Sequence, residues 1–182
     1  MTIEPINSGL TDEQRLGVVE ALNTLLSDQY LIYTKTRNYH WNVVGPRFHD
    51  LHQFFEQQYT ELAGMIDETA ENTRQFGGFA AGTMKQFIEL SRLKEEPGSI
   101  PDEDGMLKNL LSDHETVSRG LRQDVDRAQD ECKAADAADF LTAQLEAHNK
   151  LAWMLRSMLG RTPGHIDLNR GADYQKIGNG LK

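Results

Sequence analysis

Two pairs of metal-competent side chains recur at helical spacing along one stretch of the chain. His52 and Glu56 are four residues apart, and so are Asp67 and Glu71, which puts the members of each pair on one helix face. From Glu56 to Asp67 is eleven residues, about 1100° of rotation, or three turns plus roughly 20°. The two pairs therefore face the same way but stand about 16 Å apart along the axis. Metal–ligand bonds are only ~2 Å long, so one ion cannot be held by both pairs of a single helix. A second copy of the helix, crossing the first near residues 61 and 62 about a two-fold axis, removes the mismatch. It sets His52 and Glu56 of one copy opposite Asp67 and Glu71 of the other, in two equivalent mixed sites. His40, upstream, adds a second imidazole. Two histidines and three carboxylates without thiolate suit iron, zinc, manganese or copper better than calcium.

The elements that must position these residues are helical throughout. Thr11 and Gln14 have the spacing of a capping box. Behind them Leu16, Val19, Leu22, Leu26, Tyr30 and Tyr33 recur at helical spacing, predicting a helix to about Tyr39. Gly45-Pro46 breaks the chain. A second helix follows with Leu51, Phe55, Leu62, Ile66 and Thr69 on one stripe, stopped by Gly77-Gly78. The pattern from Phe79 to Ile100 is mixed, with a short connecting helix expected over Met84 to Leu93. A third helix carries Leu107, Leu110, Val117, Leu121 and Val125 and stops near Cys132. Asp136 reads as the N-cap of a fourth, with Leu141, Leu145, His148, Ala152, Leu155 and Leu159. No strand-like alternation and no repeat is visible.

Four long helices with a long segment between the second and third fit two helical hairpins joined by a crossover. The expected fold is all-α: a ferritin-like four-helix bundle with a long crossover carrying a short helix. The expected organisation is a short N-terminal extension over 1–10, the bundle over 11–160, and a loop-like C-terminal tail over 161–182. Ferritin-type sites inside one bundle use Glu-x-x-His, and no Glu or Asp here has a His three residues later. That argues against an intrachain di-iron centre.

Composition narrows the function classes. The formal net charge of −9 argues against a general nucleic-acid-binding surface. No apolar run approaches the roughly 20 residues of a membrane span, and Met1 to Leu10 lacks the pattern of a secretory signal. The expectation is a cytoplasmic protein without a membrane partner. Cys132 is the single cysteine, so no intrachain disulfide forms and an inert thiol is expected. His148 lies on an apolar stripe and reads as a hydrogen-bonded core or interface histidine. His49 reads as peripheral, His114, between Asp113 and Glu115, as part of a surface cation site, and His165 as a tail residue. Met65, Met154 and Met158 sit at core spacing.

The run His40-Trp41-Asn42, then Gly45-Pro46, Phe48, Leu51-His52, Glu56, Tyr59, Asp67 and Ala70-Glu71, resembles the Dps family of ferritin-like mini-ferritins. His148-Asn149-Lys150 with Ala152-Trp153-Met154-Leu155-Arg156 is similar to the family's closing motif, and the resemblance runs from about Leu16 to Gly160. It implies a hollow homododecamer of tetrahedral symmetry. There Fe(II) is oxidised, commonly by hydrogen peroxide with oxygen as the other oxidant, at sites across two-fold interfaces. The iron is stored inside as a ferric mineral, which protects against oxidative damage. By the family pattern His40, His52, Glu56 and Asp67 are ligands and Glu71 bridges or binds the principal iron, with zinc a competitor for the same donors. Trp41 lies beside the site, as a redox-active neighbour or an interface packing residue. Asp136 and Asp139, with Asp130, are the candidates for an acidic iron-entry pore.

Two departures stand out. The first ten residues hold no Lys or Arg, and the tail has Arg161, Arg170, Lys176 and Lys182 against Asp167 and Asp173. A DNA-condensing architectural role is therefore the disfavoured alternative, with weak binding or nucleoid association at most. Asn149 stands where an acidic residue is common in the family.

Overall fold

The computed structural model describes residues 3–160, and the expected tail with His165 lies outside the described residues. Five helices follow one another: α1 Asp12–Asn42, α2 Phe48–Gln75, α3 Met84–Leu90, α4 Glu103–Asp130 and α5 Ala135–Leu159. Among the described residues there is no strand. The helix α1 packs on α2, α4 packs on α5, and α1 also meets α3 and α4. Two hairpins joined by a crossover that carries a short helix is the arrangement expected from the sequence.

Local chemistry explains the boundaries. The capping box forms as read: the Gln14 amide donates to the Thr11 hydroxyl at 3.2 Å, and the Thr11 amide donates to the Gln14 side chain at 2.9 Å. The helix α1 continues three residues beyond Tyr39, and the Val43 amide closes it on the Tyr39 carbonyl. The helix α3 ends at Leu90, short of Leu93, because Ser91 Oγ and the Arg92 amide both turn onto the Asp28 carboxylate. The start of α5 corrects an expectation. Its cap is Ala134, without a side-chain bond, and Asp136 falls inside the first turn. Lys133 takes a left-handed φ of 55° and the Ala134 amide reaches back to the Ala128 carbonyl. This tight turn starts the helix before Asp136, whose charge in the first turn suits the helix dipole without capping it.

The core is the shared apolar interior of both hairpins, including Leu22, Leu26 and Ile32 from α1, Leu51, Phe55 and Leu62 from α2, and Leu110, Leu121 and Leu141 from α4 and α5. Each such side chain contributes about 1.5–3 kcal/mol when fully buried. A polar line crosses it: Thr69 Oγ1 donates to Gln29 Oε1 at 2.9 Å, and Gln29 Nε2 donates to Gln144 Oε1 at 2.8 Å. These bonds tie α2, α1 and α5 at one level. Met65 is buried, and Met154 and Met158 pack against the core from its edge, so all three act as packing residues.

The crossover is anchored by charge. Asp28 is fully buried on α1. It accepts from Arg92 Nε at 2.7 Å, while Arg92 Nη1 donates to Asp124 at 2.8 Å. Gly120 makes room, because a Cβ there would collide with the Arg92 guanidinium. Burial raises the Asp28 and Asp124 carboxyls, and the Arg92 charge opposes that rise. Leaving Asp28 without Arg92 would strand a buried charge, a loss of about 3–5 kcal/mol in comparable cases.

His148 is a buried, hydrogen-bonded core histidine, as read. His114 is not on the surface. It is fully buried, with Nδ1 2.9 Å from His148 Nδ1, because its position on α4 faces α5 although both sequence neighbours are acidic. Burial pushes His114 down to about 3, and burial with the His114 and Arg92 charges lowers His148 well below its ordinary value. Both rings fold neutral, whereas in the unfolded chain they take up protons near ~6.5. The unfolded state thus binds more protons below that point, and stability falls as pH drops from about 6.5 toward 3. Each ring adds a slope of up to about 1.4 kcal/mol per pH unit. Urea midpoints at fixed protein concentration should fall from pH 8 to pH 5 in the wild type. They should fall less in the His114→Leu/His148→Leu double variant, and equal slopes would discard the account.

Candidate metal centre

The turn between α1 and α2 brings two of the five candidate ligands together. His40 stands in the last turn of α1 and His52 in the second turn of α2. His40 Nδ1 bonds the His52 carbonyl oxygen at 2.8 Å, and His52 Nδ1 bonds the His40 carbonyl oxygen at 2.8 Å. A carbonyl only accepts, so each Nδ1 carries the proton and donates. In the neutral ring that leaves Nε2 as a bare lone pair, the tautomer a metal needs. The rings stack with centroids 3.7 Å apart and planes 19° apart. Phe48 stacks on His52 at 5.2 Å, and Tyr59 stands edge-on to His40 at 5.3 Å.

The turn itself is clamped from α4. Glu103 accepts from the Arg47 amide at 2.8 Å and from Arg47 Nε at 3.2 Å, and Asp104 accepts from Arg47 Nη2 at 2.6 Å. The Glu103 carboxylate comes so close to Gly45, which has φ +141°, that a Cβ there would lie 2.6 Å from its oxygen. Glycine is needed at this position for both reasons. Hydrogen bonding to Asp104 raises the Arg47 guanidinium further.

The three carboxylates are arranged differently. Glu56, Asp67 and Glu71 all lie exposed on α2, the side turned away from buried Leu51, Phe55, Leu62 and Thr69. Among the described residues no three His, Cys, Asp or Glu side chains of one chain gather to hold a metal ion. Between the two ligand pairs α2 turns the small residues Thr60, Ala63 and Gly64 outward, and a Cβ on Gly64 would meet nothing within 4 Å.

Arg37 was missed by sequence reasoning. Its guanidinium carbon lies 4.9 Å from the Trp41 ring and 5.5 Å from each of the Tyr33 and Tyr59 rings. Its Nη1 donates to the Tyr33 hydroxyl at 2.8 Å. The signal was present in the spacing, since Tyr33, Arg37 and Trp41 follow one another at four-residue intervals. Trp41 is otherwise 63% exposed. Elsewhere, His49 is exposed, as are the pore candidates Asp130, Asp136 and Asp139, near the turn between α4 and α5. Cys132 is buried, its Sγ pressed against Gly17, and burial raises the thiol. That fits an inert sulfur.

The helical architecture is that of a ferritin-like bundle, and comparison with known proteins agrees. The ferritin-like domain family matches residues 19–164. A low temperature-induced protein of Nostoc is 49% identical over 158 residues, covering 87% of this chain and 88% of its own length. DNA protection during starvation protein 2 of Bacillus anthracis is 37% identical, covering 79% of this chain and 97% of its own. The solved structure of DpsC from Streptomyces coelicolor superposes with a TM-score of 0.85 at 26% identity, over 91% of this chain and 96% of that one. The chain belongs to the Dps family of ferritin-like mini-ferritins.

The Glu103 clamp gives a direct test of how the imidazole pair is held. Glu103→Ala should lower stability by about 1–2 kcal/mol, the worth of charge-assisted hydrogen bonds to the Arg47 amide and side chain. Hydrogen exchange read by mass spectrometry should quicken across residues 43–52. Unchanged exchange there would show that the turn is held by something else.

Proposed function

We propose that this chain is the subunit of an iron-storing, protective shell that oxidises Fe(II) with hydrogen peroxide at sites shared between two subunits. The observation that carries the reading is the reciprocal bonding of His40 and His52. It leaves two bare Nε2 atoms at one end of α2, along whose exposed face Glu56, Asp67 and Glu71 are spaced. One subunit would supply His40, His52 and Glu56, and a second copy Asp67 and Glu71. A two-fold crossing opposes position 52 with 71 and 56 with 67, and the small outward residues at 60, 63 and 64 leave room for it. The imidazoles bind Fe(II), and the carboxylates favour the Fe(III) product by charge. Membership of the Dps family supports iron as the metal and a homododecamer as the assembly.

Other parts of the reading follow from the same residues. Zinc would compete for the site, because nitrogen and oxygen donors suit it equally. Asp136 and Asp139, with Asp130, would line the acidic iron entry, drawing cations by charge. No helix among the described residues is long and apolar enough to cross a membrane, and cytoplasmic action is proposed. A DNA-condensing role is the weaker alternative, since residues 1–10 hold no Lys or Arg.

Adding Fe(II) and hydrogen peroxide to the assembled protein should give rapid ferric absorbance and a soluble iron core. Glu71→Ala should slow the initial rate while leaving the shell intact by light scattering. A rate equal to the protein-free control in the wild type, or an unchanged rate in the variant, would sink the assignment. Sharing between subunits has its own test. When His52→Ala and Asp67→Ala chains are unfolded, mixed in equal amounts and reassembled, random pairing at a two-fold interface restores roughly a quarter of the sites. Activity of the mixture no higher than that of either variant alone would mean that one chain holds the whole site.

A further inference from the structure

A line of aromatic rings leads away from the imidazole pair, and metal binding does not use it. Tyr59 stands edge-on to His40 at 5.3 Å. Tyr33 lies 6.2 Å from Tyr59 with its ring perpendicular, and Tyr30 lies 6.0 Å beyond Tyr33. Phe87, stacked on Tyr30 at 4.1 Å, closes the line. All three tyrosines are half-buried. Arg37 sits among the rings, donating to the Tyr33 oxygen and covering Trp41.

Reduction of hydrogen peroxide to water takes two electrons, and one Fe(II) supplies one. A site that holds a single Fe(II) when peroxide arrives is an electron short, and the product of one-electron reduction is hydroxyl radical. We propose that Tyr33, reached through Tyr59, supplies the missing electron, so that the oxidising equivalent comes to rest as a tyrosyl radical. This rests on the ferroxidase reading above. One Fe(II), one tyrosine, one peroxide and one proton give one Fe(III), one neutral tyrosyl radical and two waters. The O–O bond breaks, iron and the ring each give one electron, and the phenolic and solvent protons both end on water.

The surroundings select Tyr33 over the more exposed Trp41. Removing an electron from an indole leaves a cation, and the Arg37 guanidinium lies 4.9 Å from that ring. Like charge opposes the step. A tyrosine that loses its proton with its electron stays neutral and meets no such penalty. Its oxygen also keeps the 2.8 Å bond from Arg37 Nη1, which holds the radical in place. Tyr59 has the contact with His40 but no such donor from Arg37, so it serves as the relay.

The test uses the assembled full chain with less than one Fe(II) per subunit and excess hydrogen peroxide. Freeze-quenched electron paramagnetic resonance and ferric absorbance are read on the same samples. A tyrosyl signal is expected, narrowed when the protein carries ring-deuterated tyrosine. It should be lost in Tyr33→Phe, with a rise in spin-trapped hydroxyl radical, and weakened in Tyr59→Phe. In Arg37→Gln the signal should shift toward an indolyl radical that responds to deuterated tryptophan. Tyrosine-to-phenylalanine changes keep the rings, and melting curves check that each variant folds. If iron is oxidised yet the wild type forms no radical or one on Trp41, the relay is wrong. An unaltered tyrosyl signal in Tyr33→Phe overturns it equally. Absence of iron oxidation in the wild type would instead bring down the ferroxidase reading itself.

Discussion

An imidazole presents a metal-binding lone pair in a fixed direction only when its other nitrogen is tied down. In this chain the tie is mutual: each Nδ1 of His40 and His52 donates to the other residue's backbone carbonyl. The same two bonds therefore choose the tautomer, orient both rings and join the end of α1 to the start of α2. The turn between the helices must bring the two backbones close enough for this. Glu103 holds that turn from α4, at the cost of requiring glycine at position 45. A site residue on the first hairpin is thus positioned by the second, and the crossover that sets the second hairpin's place becomes part of the site's support.

That crossover is held by charges inside the protein. Asp28 collects the Ser91 hydroxyl, the Arg92 amide and Arg92 Nε, and Arg92 passes over Gly120 to reach Asp124. A buried charge network of this kind adds little net stability over a well-packed apolar alternative. It does penalise every arrangement in which the partners fail to meet. The Thr69–Gln29–Gln144 line acts similarly in the core, since each amide loses a hydrogen bond if α1 slides against α2 or α5. Apolar burial supplies most of the stability, and these polar links fix the register in which His40 and His52 face each other.

The sequence carried these two layers unequally. Helices were legible because their apolar residues repeat at helical spacing, and the capping box at Thr11 was legible because it is local. His40, His52, Glu56, Asp67 and Glu71 stood out because spacing alone puts the last four on one helix face, and the family resemblance tied them together. What escaped was set by contacts between distant residues. His114 looked exposed from its acidic neighbours, yet its helical phase turns it onto His148. Asp136 looked like a cap, yet the left-handed Lys133 starts α5 before it. The Asp28–Arg92–Asp124 network spans three separate segments and leaves no local pattern to read.

The exposed face of α2 bears on how the proposed assembly and its metal depend on each other. Glu56, Asp67, Glu68 and Glu71 all lie open there, and a second α2 crossing it on a two-fold axis would bring two such faces together. Like charges brought close in a partly dry interface repel, so this surface favours association less than its small central residues alone would. A divalent ion between the imidazoles of one chain and the carboxylates of the other turns that repulsion into attraction. Linkage then runs both ways: association raises metal affinity, and metal strengthens association by the same free energy. On this reading iron acts on the shell before any electron moves. A subunit pair short of metal would then be held more loosely at the very interface proposed for oxidation.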